Sequence, residues 1–301
     1  MQEAKKENEV VISPDDIVTV TKMNHLTEVQ HMKKMNSRAT IKKIDKDRYV
    51  ELSTGEIKEF KHIENRSESY NSLRQTFKKI RYLVNNNFTG QKNELFVTLT
   101  YAENMTDNKR LYTDIKNFMK KIRYKYKDQT GIDYLSIIEP QGRGAWHAHI
   151  LIRFNAVKSI YVPFKDVSAM WGHGSVTVDR LAGIDNIGAY VSAYLADVEL
   201  TEETLYAAFR DESTVVEKEV DGQKKRFVKG GRLHMYPPGM NLYRKSKGIE
   251  FPERKKMSYK NAKKIVGSAQ PHYSKRYDIE TDDFENTVQY EQYNSKRNNI
   301  Q

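Results

Sequence analysis

The feature that most constrains the fold of this chain is a pair of β-forming segments joined by a short glycine-containing turn. Residues 134–138 and 146–154 are rich in β-branched and aromatic side chains, and residues 141–144 between them have turn composition. Segments joined so closely are expected to pair antiparallel. The sequence therefore predicts an antiparallel hairpin at the centre of a domain.

Strand-like and helical segments alternate around this hairpin. Residues 95–101 and 175–179 predict strands, whereas apolar spacing of three and four residues predicts helices at 69–84, 111–127 and 185–198, with a short helix after Pro163. Strands separated by helices around an antiparallel pair predict an α+β fold. We expect a central antiparallel sheet, covered by helices on one face, with additions at both ends of the chain.

Three regions are expected within the 301 residues. Residues 1–88 contain a hairpin that turns at Thr54 and Gly55, followed by the first helix. Residues 89–200 form the central domain. Residues 201–301 form a basic C-terminal region, whose last thirty residues are polar enough to be partly disordered.

Composition narrows the class of protein. The 51 Lys and Arg residues exceed the 40 Asp and Glu residues, giving a formal charge of +11, which suits a polyanionic partner. The absence of cysteine excludes disulfides, thiolate metal sites and cysteine nucleophiles, so chemistry has to use His, Tyr, Ser or carboxylates. The mean hydropathy is −0.79, and neither a membrane span nor an apolar leader is visible, so we expect a cytoplasmic protein with no membrane partner.

The positive charge is concentrated between Asp221 and Lys264, where 14 Lys and Arg residues stand against three acids. Aromatic residues such as Phe227 and Tyr243 are interleaved with these cations. Cations release counterions from phosphates and rings stack on bases, so this basic block predicts a nucleic-acid surface. The alternative is a solvated segment that binds nothing.

The segment 146–154 contains His147 and His149. Side chains alternate along a strand, so both imidazoles point to one side, and pairing across the turn brings Glu139 near His147. Two imidazoles and a carboxylate suit a divalent ion such as Mn²⁺ or Mg²⁺ in phosphate chemistry. The alternative is two ordinary histidines on a polar sheet face.

The predicted helix at 185–198 carries Tyr190 and Tyr194, one turn apart on one face. Apolar residues including Ile187 and Val191 already supply a core-facing stripe, which leaves the tyrosines at its edge. The alternative is that both tyrosines pack in the core.

Taken in order, residues 95–101, 139–149 and 190–194 resemble the three motifs of rolling-circle replication initiators of the HUH endonuclease superfamily. The resemblance covers about residues 90–200 and implies an HUH endonuclease-like fold with a ferredoxin- or RRM-like core. Residues 231–244 also look like the tail of replication proteins from plasmids and integrative elements of Gram-positive bacteria.

This resemblance implies a metal-dependent, site-specific DNA endonuclease and strand transferase. Glu139, His147 and His149 would hold Mn²⁺ or Mg²⁺, and Tyr190 and Tyr194 would form a 5′-phosphotyrosine adduct and free a 3′-hydroxyl. The implied partners are single-stranded or hairpin origin DNA and a host or element helicase, since the sequence has no phosphate-binding Walker loop.

Two features depart from the family pattern. Many single-tyrosine members carry Lys three residues after the nucleophile, where this chain has Ala193 and Asp197, so the two-tyrosine members are the closer comparison. The small Ala148 separates the histidines where a bulky apolar residue is common. Conjugative relaxases and single-strand transposases share this chemistry, and a non-catalytic nucleic-acid-binding protein is a further alternative.

We expect the DNA to be held by cations in the predicted helix 111–127, in the turn before His147 and in the basic block. These residues are Lys116, Lys120, Arg123, Arg143, Lys224, Lys225, Arg226, Arg232, Arg244 and Lys245.

Overall fold

A computed structural model describes residues 12–35, 40–60, 70–141, 144–196, 198–199, 215–220, 223–228, 235–237, 239–281 and 284–297. These residues form a mixed α+β structure with antiparallel sheets, as predicted. The helices in the described residues are α1 (Tyr70–Asn87), α2 (Asn108–Tyr126), α3 (Phe164–Trp171), α4 (Ile187–Ala196) and α5 (Tyr259–Val266). The first nine strands are β1 (Ile17–Met23), β2 (Leu26–Met32), β3 (Ile41–Lys43), β4 (Arg48–Glu51), β5 (Ile57–Glu59), β6 (Glu94–Thr100), β7 (Ile132–Pro140), β8 (Trp146–Phe154) and β9 (Val176–Asp179). The remaining strands are β10 (Val198–Glu199), β11 (Val215–Val220), β12 (Gln223–Val228), β13 (Tyr243–Lys245), β14 (Arg254–Ser258), β15 (Tyr273–Thr281) and β16 (Phe284–Asn294).

The chain divides into two compact units. One comprises residues 64–251, and the other combines residues 1–63 with residues 252–301. These boundaries differ from those expected after residues 88 and 200. The reason is long-range pairing: Glu28 and Gln292, 264 residues apart, lie opposite each other in one sheet. Local sequence patterns do not reveal such a contact.

The unit built from both chain ends contains a five-stranded antiparallel sheet in the order β14-β1-β2-β16-β15. Helix α5 packs through Ala262 against a cluster that includes Val18 and Val20. The partial disorder expected for the last thirty residues is not found in β15 and β16. Val288 and Tyr293 are buried there, and the pairing of these strands supplies the hydrogen bonds that the polar composition concealed. Strands β3, β4 and β5 form a separate small sheet with the expected turn at Gly55.

The unit of residues 64–251 contains the predicted central sheet, in the order β13-β7-β8-β6-β9. Strands β7 and β8 form the expected hairpin, with pairing from Ile132 opposite Phe154 to Pro140 opposite Trp146. Strand β6 pairs with the other side of β8 and with β9, always antiparallel. A second, three-stranded sheet of this unit has the order β10-β12-β11.

Helices α2 and α3 cover one face of the central sheet. Phe118 of α2 contacts Trp171 of α3 edge-on, and Tyr126 at the end of α2 contacts Phe154 of β8. The N-terminus of α2 is capped by Asp107, whose side chain accepts hydrogen bonds from two backbone N–H groups.

Helices α1 and α4 cover the other face. Tyr190 of α4 contacts Phe96 of β6, and Arg153 of β8 donates to the carbonyl oxygen of Asn87 at the end of α1. The expectation of a single covered face was therefore wrong. The middle of β8 is apolar on both sides, and Ile150 and Leu151 are both fully buried, so the sheet needs a helical layer on each face.

The basic block of residues 221–264 does not form one surface segment. Strand β12 lies in the small sheet, β13 is an edge strand of the central sheet, and β14 and α5 belong to the unit built from both chain ends. In the described part of the chain, no helix is long and apolar enough to cross a membrane.

Candidate functional site

The β7–β8 hairpin brings Glu139, His147 and His149 to one face of the central sheet. Glu139 is the register partner of His147, and His149 follows two residues along β8. The closest contact of Glu139 is the diagonal one, because its Oε2 lies 2.7 Å from Nε2 of His149. The two imidazole rings are 6.3 Å apart. The sequence thus placed these three residues together, but with a different closest pair.

His149 is held by two residues of the neighbouring strand β6. Its Nδ1 lies 3.0 Å from Oγ1 of Thr98, its register partner, and its ring stacks on Phe96 at 5.4 Å between centroids. Burial lowers the pKa of His149 to about 4, so the imidazole is neutral at pH 7. An ionised carboxylate only accepts hydrogen bonds, so Nε2 carries the proton that is shared with Glu139, and Nδ1 accepts from Thr98.

The chemistry of these groups suits a divalent cation. The Thr98 hydroxyl can also accept, so His149 can carry its proton on Nδ1 instead and direct the Nε2 lone pair at an ion. Ligands about 2.1 Å from an octahedral ion are about 3 Å from one another, close to the 2.7 Å between Glu139 and His149. Among the described residues, no three His, Asp or Glu side chains already converge on one point. Glu139 and His149 are therefore adjacent as ligands would be, and His147 lies beside them.

Helix α4 places Tyr190 on the same face as the histidines. The Tyr190 ring contacts Phe96 edge-on at 6.3 Å, and Phe96 is the ring that stacks on His149. One phenylalanine therefore separates Tyr190 from His149. Tyr194 is one turn further along α4, and its side chain lies outside the described residues.

The N-terminus of α4 is fixed by a buried asparagine that sequence reasoning missed. Asn85 of α1 is 2% exposed. Its Oδ1 accepts the N–H of Gly188 at 2.7 Å, and its Nδ2 donates to Oδ1 of Asn186 at 3.1 Å. Asn186 in turn caps the helix by accepting the N–H of Ala189 at 3.0 Å. The sequence signal was the run of asparagines at 85–87, which had been interpreted only as the end of a helix.

Gly188 lets the two helices come this close. A Cβ at position 188 would lie 2.7 Å from Oδ1 of Asn85 and 2.8 Å from the carbonyl oxygen of Arg81. Any side chain here would therefore push α4 away from α1. The position of Tyr190, two residues later, depends on this contact.

Some predicted DNA-binding residues lie on the sheet face opposite the histidines. Lys116, Lys120 and Arg123 are exposed on α2. Arg244 of β13 joins them, because its register partner is Ser136 and its guanidinium lies over the ring of Tyr112 in α2. The structure therefore gathers four predicted residues on one side of the sheet, away from the predicted metal ligands.

The other predicted DNA-binding residues are not part of that group. Lys245 is on the histidine face of the sheet, where its Nζ donates to the carbonyl oxygen of Ile249 at 2.7 Å. The remaining ones are not described beyond their backbone: Lys224, Lys225 and Arg226 lie in β12 with side chains outside the described residues, and Arg143 and Arg232 lie outside them entirely.

The segment that follows β13 is fixed to the edge of the central sheet. Ser246 donates through Oγ to Oδ1 of Asp133 at 2.8 Å, and Arg153 forms an ion pair with Oδ2 of Asp133 at 3.2 Å. Burial by itself raises the pKa of Asp133, but hydrogen bonds from Ser246, Asn155 and Arg153 bring it below its ordinary value. Residues 243–250 are thus part of the unit that carries the site.

Comparison with known proteins gives one match. Residues 94–199 match the sequence model of the ORF2 family of replication-associated proteins. No curated protein and no solved structure matches the chain significantly. The match confirms the resemblance to replication proteins, while the narrower comparison with the HUH superfamily and with Gram-positive elements stays a prediction.

Proposed function

Since residues 94–199 are those of a replication-associated protein family, whose partner is DNA, we propose that this protein is a replication initiator that nicks and rejoins single-stranded DNA. The nucleophile is a tyrosine of α4, with Tyr190 acting first and Tyr194 second. The substrate is an origin presented as a single strand or a hairpin. Duplex unwinding is left to a helicase partner.

One observation carries this proposal: Tyr190 and the Glu139–His149 pair share one sheet face with a single ring, Phe96, between them. A nucleophile and a cluster of cation-binding groups on one face are what phosphodiester cleavage requires, because the phosphate is anionic and repels an attacking oxygen. The region that matches the replication family contains all of these residues.

The cleavage step uses the phenolic oxygen of the tyrosine. This oxygen forms a bond to phosphorus as the bond between phosphorus and the 3′-oxygen breaks; the phenol loses its proton and the leaving 3′-oxygen gains one. The product is a 5′-phosphotyrosine and a free 3′-hydroxyl. Because the new ester conserves the bond energy, a 3′-hydroxyl can reverse the step and reseal the strand without ATP.

The second tyrosine gives the site a second turnover. Tyr190 and Tyr194 are four residues apart in α4, so they occupy one face of that helix. One can remain esterified while the other cuts a second time, as closing a circular product requires.

Glu139, His147 and His149 are the residues that would hold a divalent ion, Mn²⁺ or Mg²⁺. When bound, such an ion neutralises charge on the non-bridging phosphate oxygens. His149 is neutral before binding, and Thr98 and Phe96 fix its ring orientation.

Adduct formation tests this proposal. The protein is incubated with Mn²⁺ and a random pool of single-stranded oligonucleotides, denatured, and the DNA that stays covalently bound is sequenced. We expect the wild type to retain one sequence class, and the double variant Tyr190→Phe/Tyr194→Phe to retain none. The exposed Tyr161, changed to Phe, is the matched control and should behave like the wild type. No adduct from the wild type, or equal adduct from the double variant, would show that the proposal is wrong.

A further inference from the structure

We propose that one flank of α2, together with Arg244 of β13, binds the sugar-phosphate backbone of DNA on the sheet face opposite the tyrosine and histidines. We name the residues Tyr112, Lys116, Lys120, Arg123 and Arg244 the α2 stripe. The inference rests on the proposed function in one respect, since it takes the polyanion to be DNA.

Helical spacing places the members of α2 on one flank. The steps from Tyr112 to Lys116, Lys120 and Arg123 are four, four and three residues, which follow one side of a helix. The buried face of α2 contains other residues, among them Ile115 and Ile122. From Tyr112 to Arg123 the stripe extends about 16 Å, the length of about five phosphates along one B-form strand.

Contacts between guanidinium groups and tyrosine rings fix the two ends of the stripe. Arg244 lies 3.9 Å from the ring centroid of Tyr112, and Arg123 lies 5.1 Å from that of Tyr134 in β7. The Tyr112 hydroxyl donates to the carbonyl oxygen of Asn241 at 2.9 Å, and Nη2 of Arg123 donates to that of Ile132 at 3.3 Å. The two guanidinium groups are thereby oriented before any ligand arrives.

These end contacts also determine which part of DNA fits. A guanidinium occupies one face of each tyrosine ring, so that face is not open to a base. The exposed cations instead present N–H donors, which suit phosphate oxygens. The α2 stripe therefore binds DNA without reading its sequence.

The opposite flank of α2 shows why the stripe is not simply a solvated helix surface. There, Lys121 donates to the carbonyl oxygen of Met170 at 2.8 Å, and Lys125 forms an ion pair with Asp166 at 2.7 Å. Within the described residues, neither Lys116 nor Lys120 takes part in an ion pair. One flank uses its cations inside the protein, and the other keeps them for a ligand.

The stripe begins at the end of the sheet that carries the candidate site. The backbone N–H of Trp146, the residue before His147, donates to the carbonyl oxygen of Met105, and its indole Nε1 donates to that of Thr106. Both acceptors lie just before α2, so the start of α2 adjoins the start of β8. A strand cut on one face can therefore pass around this end of the sheet onto the stripe.

Two lysine pairs on the same helix give a matched test. Lys116→Gln/Lys120→Gln removes two charges from the stripe, and Lys121→Gln/Lys125→Gln removes the same charge from the other flank. Binding of a fluorescent oligonucleotide, as a single strand and as a hairpin, is measured by anisotropy without Mn²⁺ at several salt concentrations. We expect the stripe variant to lose about ten-fold in affinity at low salt, and its slope of log affinity against log salt to fall by roughly 1.4 for the single strand or 1.8 for the hairpin stem. The control pair should bind as the wild type does.

Each outcome decides the question. A loss confined to the single strand, or to the hairpin, supports the stripe and identifies the form of DNA that it holds. Equal loss in both lysine pairs, or no loss in either, would overturn it. Lys116→Glu/Lys120→Glu should deepen the loss, and thermal melting checks that every variant folds. Because binding is measured without cutting, a missing tyrosine adduct would contradict the proposed function and leave the stripe standing.

Discussion

At the scale of single residues, His149 illustrates how a sheet completes a site that sequence only begins. The alternation within β8 was sufficient to predict that His147 and His149 share a face with Glu139. Thr98 and Phe96, which fix the His149 ring, come from β6, and their position depends on the register between β6 and β8. Register is set by long-range packing, so no local pattern predicts it.

Glu139→Gln tests the cation-binding role of this pair. The amide has the shape of the carboxylate and can still contact His149, so the fold should be retained, but the negative ligand is lost. We expect Mn²⁺ affinity, measured by calorimetry, to fall about 100-fold and adduct formation to fall with it. Glu103→Gln, which removes an exposed acid paired with Arg110, is the charge-matched control. Unchanged Mn²⁺ affinity in Glu139→Gln would contradict the assignment.

The buried His149 also makes stability depend on pH. Burial lowers its pKa to about 4 in the folded state, against 6.5 in an exposed chain, so the unfolded chain binds the proton more readily. The contribution is complete above pH 6.5 and is lost as the pH falls towards 4, up to about 3 kcal/mol in total. Urea unfolding across this range should show a flatter pH dependence for His149→Gln than for the wild type. Equal steepness in both proteins would show that His149 titrates normally.

At the scale of elements, α4 is positioned by its partner helix and not by its own sequence. The interval 185–198 was enough to predict a helix, observed as Ile187–Ala196, because its apolar spacing is helical. Its orientation could not be predicted, since it depends on Asn85 and Gly188 touching across more than a hundred residues. The same holds for β13, a three-residue strand recognised only by its pairing with β7.

Asn85→Ala should separate orientation from folding. The N–H of Gly188 and the side chain of Asn186 would lose a buried partner, which costs about 1–3 kcal/mol of the free energy of unfolding. We expect the rate of adduct formation to fall further than this loss explains at a temperature where the variant is folded, with DNA affinity unchanged. Asn86→Ala, whose Nδ2 donates to the carbonyl oxygen of Glu250, is the matched control. An unchanged adduct rate in folded Asn85→Ala would make Asn85 purely structural.

At the scale of the whole molecule, the two chain ends share one sheet. Strand β2 lies between β1 and β16, so the first and last described strands are bonded to each other's neighbours. The expected boundaries failed here, because the pattern of each strand is local and its partner is not. The basic block was likewise real as a composition, yet its strands are shared between two units.

Engineered cysteines test this pairing, since the chain has none of its own. Gln30 and Tyr290 are register partners in β2 and β16. We expect Gln30→Cys/Tyr290→Cys to form a disulfide on oxidation, seen as a mobility shift on a non-reducing gel and as stabilisation of about 4 kcal/mol in unfolding. Gln30→Cys/Gln289→Cys places the second thiol on the opposite sheet face and should not form a link. Equal linking by both pairs would contradict the register.

The shared sheet has a consequence for how the protein is made. A ribosome adds roughly 5–20 residues per second, so β1 and β2 emerge long before β14 and β16 exist. The residues of the central sheet can pair meanwhile, but β2 waits with an open edge until the end of synthesis. The newborn chain therefore passes through a stage in which its replication machinery can already be assembled while its first strands are still vulnerable to the wrong partner.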